Sequence, residues 1–379
     1  MSTPITSWST SAPRAPRVRA VDWLRGLVIA LMTVDHSGTF LDAAHLHGDN
    51  WQWWTPGSPL PTAEFLTRWI SHLCAPTFVL LAGVSLALSD EKRRGEPGQT
   101  RFIATRGLLI AALDPLWMSF GFAAYTHISC QVLYAIGMSM VFMAGLRRFS
   151  SRTLLVLAAA IQIFGELSTH WQPTVEPLHS LWAYLFVGGP TFGRAGCSYP
   201  AVPWLSIMIF GWVLGRWFVE PRDHLARARW LAVVGAASLG LFVAVRGVDG
   251  YGNWNLHRES LDVLQWLHVN KYPPCIAFTT LELGISFLLL AAFVALDDPS
   301  APRRAFAPLA LFGQTAFFYY LLHIHLLHGA QIAFGLDPKE HGLGTTWLGA
   351  AITLAVLAWP CWLYRRYKRA HPDGWTRYI

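Results

Sequence analysis

The sequence predicts an all-α, polytopic integral membrane protein with about ten transmembrane helices and with both termini in the cytoplasm. Of its 379 residues, 53% are hydrophobic and only 13% are charged, whereas about a quarter of the residues in a soluble domain are charged. The 19 tryptophans suit a chain that crosses membrane–water interfaces many times, because Trp is enriched there. Most of the surface is therefore expected to face the lipid bilayer.

Ten apolar runs in the sequence approach the length that spans the hydrocarbon core as a helix, about 20 residues. They cover residues 23–41, 65–88, 103–122, 128–146, 152–168, 201–219, 229–246, 274–296, 306–328 and 345–364. A further apolar segment, 178–193, contains Gly188, Gly189 and Pro190. Because these residues interrupt a helix, that segment is predicted to be re-entrant or interfacial.

The distribution of basic residues predicts the orientation of the helices. With the N-terminus inside, 23 of the 29 Lys and Arg residues fall in cytoplasmic tails and loops, as the positive-inside rule requires. The chain divides into a polar cytoplasmic tail (1–20), one transmembrane domain (21–370) and a cytoplasmic C-terminal tail (371–379). Topology also explains the net charge of +7, so no nucleic-acid partner is expected.

The cysteines and the outer loops leave alternatives open. The five cysteines lack metal-ligand spacing, which favours buried thiols over a disulfide among those placed outside; they are Cys74, Cys130, Cys197, Cys275 and Cys361. The outer loops 42–64, 169–200 and 247–273 are long and rich in Trp, His, Gly and Pro. This composition is compatible with a pocket for a polar acceptor and equally with ordinary loops that carry aromatic belts.

The first run carries ionisable residues, which are costly inside a membrane and mark functional sites by default. Arg25 and His36 are eleven residues apart, which is roughly 16 Å along a helix axis and about three turns, so they share one face. Arginine binds phosphate through its planar fork of donors, and histidine is the commonest general base near neutral pH. The alternatives are an interfacial anchor for Arg25 and interhelical hydrogen bonds for Asp35 and His36.

Two other runs bring histidines to a similar depth. Arg68 and His72 are four residues apart in the second run and therefore lie on one helix face, while His323 lies near the outer end of the ninth run. A metal site is the alternative, but the sequence has no HExxH motif and no carboxylate at ligand spacing from these histidines. No metal is therefore expected.

Further candidates lie in the third and eighth runs. Arg106 is a second candidate for binding an anionic donor, and Asp114 and Glu282 are interpreted as structural partners for it or for neighbouring groups. Lys271 and Tyr272 precede two prolines that open the eighth run. They are candidates for binding substrate, with a simple helix start as the alternative.

At these residues a family resemblance emerges, because several short motifs follow one order along residues 16–370. They are Val21-Asp22-Trp23-Leu24-Arg25-Gly26, Asp35-His36, Arg68-Trp69 to His72, Cys74-Ala75-Pro76, Tyr199-Pro200 with Pro203-Trp204, Lys271-Tyr272-Pro273-Pro274, and Phe318-Tyr319 to His323. Together they resemble the bacterial branch of the heparan-α-glucosaminide N-acetyltransferase catalytic family. The spacing from Arg25 to His36 is also similar to the first-helix motif of the acyltransferase-3 family, a relative in the transmembrane acyltransferase superfamily.

The resemblance implies a function and a site. An acyl-coenzyme A, expected to be acetyl-coenzyme A, binds from the cytoplasm, and its acyl group passes to a sugar or cell-envelope acceptor across the membrane. The expected catalytic residues are His36, Asp35 and His72; the expected donor-binding residues are Arg25 and Arg106; the expected acceptor-binding residues are Arg68, Lys271, Tyr272 and His323. The implied location is the bacterial inner (cytoplasmic) membrane, and a homodimer is compatible with the sequence.

The sequence also departs from the lysosomal member of that family. The lysosomal enzyme has asparagine where this chain has His36 and aspartate where it has His72. Its proposed catalytic histidine lies in the loop after the first helix, where this chain has His45 and His47. The identity of the base is therefore open between His36 and a histidine of this loop.

Two other classes of function compete with acyl transfer. A transporter of a polar or acidic metabolite would use the histidines as proton relays, but transporters often contain internal repeats, and the sequence has none. A non-catalytic membrane scaffold would not need three buried histidines at one depth. We therefore expect a membrane acyltransferase, with a proton-coupled transporter as the alternative.

Overall fold

The computed structural model describes residues 18–46, 48–124, 126–191, 193–297, 304–371 and residue 374. Most of the two predicted tails, and His47 of the first outer loop, lie outside the described residues.

The described residues are 74% helical, with almost no strand. The α-helices, in chain order, are α1 (Arg19–Leu41), α2 (Thr62–His72), α3 (Cys74–Lys92), α4 (Gln99–Leu113), α5 (Ser119–Ala123), α6 (Val132–Leu146), α7 (Ser151–Gly165), α8 (Leu178–Trp182), α9 (Ala201–Val219), α10 (His224–Val248), α11 (Val263–Leu267), α12 (Ile276–Leu296), α13 (Ala307–Gln314), α14 (Ala316–Phe334) and α15 (Leu343–Ala370). Wider π-helical turns continue α4 at Asp114–Met118 and α8 at Ala183–Val187. Short 3-10 turns are Glu166–Trp171, Arg304–Phe306 and Pro338–Glu340.

The predicted all-α membrane architecture is confirmed at this level. Among the described residues, seven helical segments are long and apolar enough to cross a membrane, and an eighth is added if the bent pair α13–α14 counts as one span. Helix α1 carries several charged residues, and α6 is only 15 residues long. The count of ten spans and the cytoplasmic position of both termini stay predictions.

Two predicted apolar segments begin or end differently from expectation. Run 128–146 starts with the strand β1 (Ile128–Cys130), and its helix begins at Val132. Residues 178–190 of the other segment form α8, a π-helical turn and, after Gly188, the strand β2 (Gly189–Pro190). Its glycines do end the helix, since Gly188 and Gly189 both have positive φ angles, which glycine adopts without steric cost.

Glycines let the central helices approach closely. A Cβ atom on Gly26 would lie 2.0 Å from the carbonyl oxygen of Leu309, and one on Gly313 would lie 1.8 Å from the carbonyl oxygen of Asp22. Helix α1 therefore contacts α13 backbone to backbone, as small residues permit in membrane bundles. The Arg25-Gly26 motif of α1 thus sets the position of Arg25 against α13.

The consecutive helices α13 and α14 are bent by 77° relative to each other. At the bend, the guanidinium of Arg25 donates from Nη1 to the carbonyl of Gly313 at 3.3 Å, and the hydroxyl of Thr315 donates to the carbonyl of Leu311 at 2.9 Å. Carbonyl groups at a helix end need such partners, since no backbone N–H reaches them. The bend therefore places Arg25 at the point where α13 and α14 meet.

A small three-stranded sheet lies beside one end of the bundle. Strand β1 pairs in parallel with β3 (Ala195–Cys197), and β2 pairs antiparallel with β3. The buried carboxylate of Asp114 accepts from the backbone N–H groups of Gln131 at 2.8 Å and Tyr134 at 2.6 Å. Asp114 therefore anchors the start of α6, directly after β1.

Candidate active site

Two cavities share a wall inside the helical bundle. The first, which we call the basic cavity, has a volume of about 230 Å³ and is lined in part by Arg25, Arg106 and Lys368. The second, which we call the histidine cavity, has a volume of about 30 Å³ and is lined in part by Asp35 and His36. It holds little more than a water molecule, which needs at least about 10–15 Å³.

The shared wall consists of three side chains from three helices. Phe78 of α3, Val132 of α6 and Tyr320 of α14 line both the basic cavity and the histidine cavity. These side chains are mostly apolar, whereas the two cavities that they join carry ionisable groups. A mostly apolar wall, which we call the constriction, thus separates a cationic chamber from a histidine.

Several polar contacts hold Arg25 in the basic cavity. Nη2 of Arg25 donates to the hydroxyl of Ser85 at 2.8 Å, and Nη1 lies 3.5 Å from a carboxylate oxygen of Asp22. Arg106 and Lys368 reach the same cavity from α4 and α15. Three cationic side chains on separate helices therefore face one volume, which favours an anionic ligand such as a phosphate group.

The histidine cavity contains an ordered pair of imidazoles. Nδ1 of His36 lies 2.7 Å from Nε2 of His323, and Nδ1 of His323 lies 2.8 Å from the carbonyl oxygen of Tyr320. Because a carbonyl only accepts, Nδ1 of His323 carries a hydrogen, and in the neutral ring Nε2 is then an acceptor. Nδ1 of His36 must therefore donate to it. In the neutral His36 ring this leaves Nε2 with a lone pair, as a general base requires.

An ionic network lies behind this pair and joins α1, α2 and the loop 42–64. Arg68 donates from Nη1 to Asp35 at 2.5 Å and from Nη2 to Asp49 at 2.7 Å. Nε2 of His72 lies 3.0 Å from the same oxygen of Asp49, and Nε2 of His45 lies 3.4 Å from Asp35. The network pairs two carboxylates with one guanidinium, which offsets the cost of burying these charges.

The network lowers the pKa of its loop aspartate, Asp49. Burial by itself would raise the pKa of Asp49, but the charge of Arg68 and the hydrogen bond from His72 hold that pKa well below its usual range. Asp49 is only 4% exposed. Its negative charge therefore depends on these two partners.

The loop before α12 supplies a lysine and a tyrosine. Lys271 is 3% exposed and lines the histidine cavity, and its backbone N–H donates to the carbonyl of Asp49 at 2.9 Å. Burial by itself would lower the pKa of Lys271, but the neighbouring Tyr272, together with Asp49 and Asp35, raises it. The hydroxyl of Tyr272 lies 3.4 Å from Nη2 of Arg68. A cationic amine thus borders the cavity that contains His36.

The residues predicted from the sequence separate into three groups. Arg25 and Arg106 meet in the basic cavity, and Asp35, His36 and Lys271 meet in the histidine cavity. The remaining four line neither cavity and instead contact His36, Asp49 or one another; they are Arg68, His72, Tyr272 and His323. The roles in catalysis, donor binding and acceptor binding stay predictions for all nine residues.

Three further residues line the cavities although they are not candidates from the sequence. Lys368 belongs to the C-terminal basic cluster, which the positive-inside rule already explained. Tyr320 lies three residues before His323 and so on the same helix face, a signal that the motif itself contains. Gln131 lines the histidine cavity only because β1 and Asp114 position the start of α6, and no sequence pattern indicated that.

The two remaining acids, Asp114 and Glu282, lie outside both cavities. Asp114 caps α6, while Glu282 is 1% exposed within α12. Across the described residues, no group of three or more His, Cys, Asp and Glu side chains has an arrangement that could hold a metal ion. The expectation that no metal is needed stays an expectation.

Long apolar helices around a buried ionisable network define an α-helical integral membrane protein with an internal polar site. The sequence model of the family described as "Heparan-alpha-glucosaminide N-acetyltransferase, catalytic" matches residues 17–245, more than half of the 379-residue chain. The chain belongs to this family, which indicates a membrane acetyltransferase. No individually curated protein matches the sequence.

Proposed function

We propose that this protein transfers an acetyl group from acetyl-coenzyme A to a sugar or cell-envelope acceptor, with His36 as the general base. The donor binds in the basic cavity, at the cytoplasmic end of the bundle. The acceptor reaches the histidine cavity from the opposite side. The observation that carries this proposal is the wall that both cavities share, formed by Phe78, Val132 and Tyr320.

Charge and shape support the position of the donor. Coenzyme A combines a phosphorylated nucleotide with a thin pantetheine arm that ends in the thioester. Arg25, Arg106 and Lys368 supply cations for the phosphates. The constriction beyond them is lined by apolar side chains, which accept the arm and exclude bulk water from the thioester.

The bond pattern around His36 supports its role as the base. His323 receives a hydrogen bond from Nδ1 of His36, so the lone pair of Nε2 remains for the acceptor. Asp35 lines the same cavity but is engaged by Arg68. His72 is not among the residues that line either cavity, so we assign it to the network that holds Asp49 and Arg68.

The proposed transfer passes the acetyl group from the thioester to the acceptor without an acyl-enzyme intermediate. Nε2 of His36 takes a proton from the acceptor hydroxyl or amine while the acceptor attacks the thioester carbonyl. The C–S bond breaks, and the protonated imidazole returns its proton to the coenzyme A thiolate. Lys271, which borders the cavity, supports the negative charge that develops on the carbonyl oxygen. The products are the acetylated acceptor and coenzyme A.

The orientation of the chain is part of this proposal. The basic cavity lies at the end that carries the basic clusters expected in the cytoplasm, and the histidine cavity adjoins the outer loops. The acceptor is therefore a molecule of the far side, and the bacterial inner membrane is the proposed location. A homodimer is not required by any step.

Calorimetry with purified protein in detergent tests the donor site. Acetyl-coenzyme A is expected to bind the wild type, and Arg25→Ala is expected to weaken binding by about tenfold or more, since hydrogen bonds to charged groups contribute about 1.5–3 kcal/mol. Acetyl-pantetheine, which lacks the nucleotide, should bind the two proteins alike. Arg152→Ala is the control, because Arg152 is exposed on α7 and does not line the basic cavity.

Two outcomes would contradict the proposal. Failure of folded wild-type protein to bind acetyl-coenzyme A would remove the donor and leave transport of a polar metabolite as the alternative. Equal weakening by Arg25→Ala and Arg152→Ala would show a general charge effect rather than a site.

A further inference from the structure

Two cysteines lie opposite each other in the small sheet. In the parallel pairing of β1 with β3, Cys130 is the register partner of Cys197. Neighbouring strands are about 4.8 Å apart, and disulfides join Cα atoms about 4.4–6.8 Å apart. Register partners also extend their side chains to the same face of a sheet, so the spacing and the direction both suit a bond.

The other three cysteines lie in helices or at a helix start. Cys74 donates from its thiol to the carbonyl of Val28 at 3.2 Å, and the sulfur of Cys275 accepts from the backbone N–H of Phe278 at 3.2 Å. Cys361 lies within α15. Each has a local structural role or helical surroundings, whereas only Cys130 and Cys197 are paired across two strands in the described sheet.

We propose that Cys130 and Cys197 form a cross-strand disulfide in the compartment outside the cytoplasm. The inference rests on the orientation given in the proposed function, because disulfides persist in oxidising compartments. Two S–H bonds are lost and one S–S bond forms. The two protons and two electrons pass to an oxidant of the disulfide class, which is reduced to two thiols.

Burial determines when this bond forms. Cys130 is 8% exposed and Cys197 is 2% exposed, and burial raises the pKa of Cys130 to about 12. Thiolate is the reacting species, so the closed sheet reacts slowly. The oxidant therefore acts before β1 and β3 close over their thiols, and the completed bond is then shielded from reductants.

The bond would fix two walls of the histidine cavity. Cys130 directly precedes Gln131 and Val132, which line this cavity, and Cys197 is followed by Tyr199, which also lines it. Covalent linkage of the two strands holds these side chains together at the end of the bundle where the acceptor is proposed to arrive. The disulfide is thus a positioning device, not a participant in transfer.

Differential alkylation followed by peptide mass spectrometry tests this bond in the wild-type protein. Protein isolated from cells with an intact oxidative pathway is denatured with a first alkylating reagent, then reduced and treated with a second. We expect Cys130 and Cys197 to carry the second label, and Cys74, Cys275 and Cys361 to carry the first. In protein from cells that lack the thiol oxidant, all five should carry the first label.

The result is independent of acetyl transfer. First label on both Cys130 and Cys197 in protein from oxidising cells would overturn the disulfide, even if acetyl-coenzyme A binds as proposed. Conversely, a disulfide in protein that binds no donor would leave the bond standing while the function fails. Cys130→Ser provides a matched control, because Cys197 should then carry the first label.

Discussion

His36 and His323 form a directed imidazole pair, with Nδ1 of His36 2.7 Å from Nε2 of His323. The carbonyl of Tyr320, 2.8 Å from Nδ1 of His323, sets the direction of both bonds. A ring that must donate at one nitrogen presents its lone pair at the other, so a backbone group of α14 selects the tautomer of a side chain on α1. From the sequence, His323 is expected to bind the acceptor, whereas in the structure its Nε2 accepts the hydrogen bond of His36.

The first prediction separates these roles. His36→Ala should lower kcat by about 10²–10⁴-fold, the contribution of a general base. His323→Ala should cause a smaller loss, because His36 keeps a lone pair but loses the partner that fixes its ring. His323→Gln should restore part of the activity, since its carbonyl oxygen accepts the hydrogen of Nδ1. The measurement is release of coenzyme A from acetyl-coenzyme A with amino-sugar and polyol acceptors.

His325→Ala is the control for that series. His325 lies on the same helix and contacts the Trp117 ring at 4.3 Å, outside both cavities. Its substitution should leave kcat close to that of the wild type. A larger loss from His323→Ala than from His36→Ala would contradict the assignment of His36 as the base.

The second prediction concerns the constriction between the cavities. Val132→Trp fills the wall that the two cavities share, so it should abolish transfer while acetyl-coenzyme A still binds through its nucleotide end. Val233→Trp is the matched control, because Val233 is 67% exposed on α10. Binding by calorimetry and transfer by coenzyme A release should therefore separate only in Val132→Trp. Normal transfer by this variant would mean that the acyl group takes another route.

Much of this architecture follows from the sequence, and the reasons are physical. Apolar length predicted the helices, because a helix needs about 20 apolar residues to span the hydrocarbon core of a bilayer. Helical periodicity predicted that Arg25 and His36 share a face, and they line adjoining cavities. These features are local, so one stretch of sequence contains them.

What the sequence did not reveal depends on contacts between distant segments. Asp49 was not a candidate, because nothing in the loop 42–64 indicates that it meets Arg68. The apolar run 128–146 predicts a helix that includes Ile128–Cys130, whereas these residues form the strand β1. The strand depends on its partner Ala195–Cys197, which is remote in the chain. Pairing across such separations is set by tertiary structure rather than by periodicity.

The third prediction concerns the buried charge of Asp49. Asp49→Asn removes the carboxylate that faces Arg68 and His72 and leaves the guanidinium with one carboxylate fewer. Breaking a buried ion pair in this way costs about 3–5 kcal/mol, so the melting temperature in detergent should fall by several degrees. Asp223→Asn is the control, because the exposed Asp223 caps α10 and asparagine caps equally well. Equal melting temperatures for the two variants would contradict a stabilising network.

The fourth prediction is a pH dependence of stability that arises in the loop before α12. Burial lowers the pKa of His268, which is 2% exposed, although its hydrogen bond to the carbonyl of Gly48 at 2.8 Å acts in the opposite direction. The folded protein therefore keeps His268 neutral below pH 6.5, where the unfolded chain binds a proton. Stability that is present above about pH 6.5 should be lost as the pH falls towards the lower folded pKa.

The contribution of His268 can be isolated with two variants. The free energy of unfolding of the wild type should fall from pH 7 to pH 5, and His268→Gln should reduce that slope by at most one proton, about 1.4 kcal/mol per pH unit. Leu261→Ala should leave the slope unchanged, because Leu261 is 81% exposed in the same loop and carries no ionisable group. Melting temperatures across this pH range provide the measurement. An equal slope in His268→Gln and the wild type would contradict this prediction. It would mean that His268 takes up its proton at the same pH in the folded and the unfolded protein, and therefore that the side chain is not buried in solution.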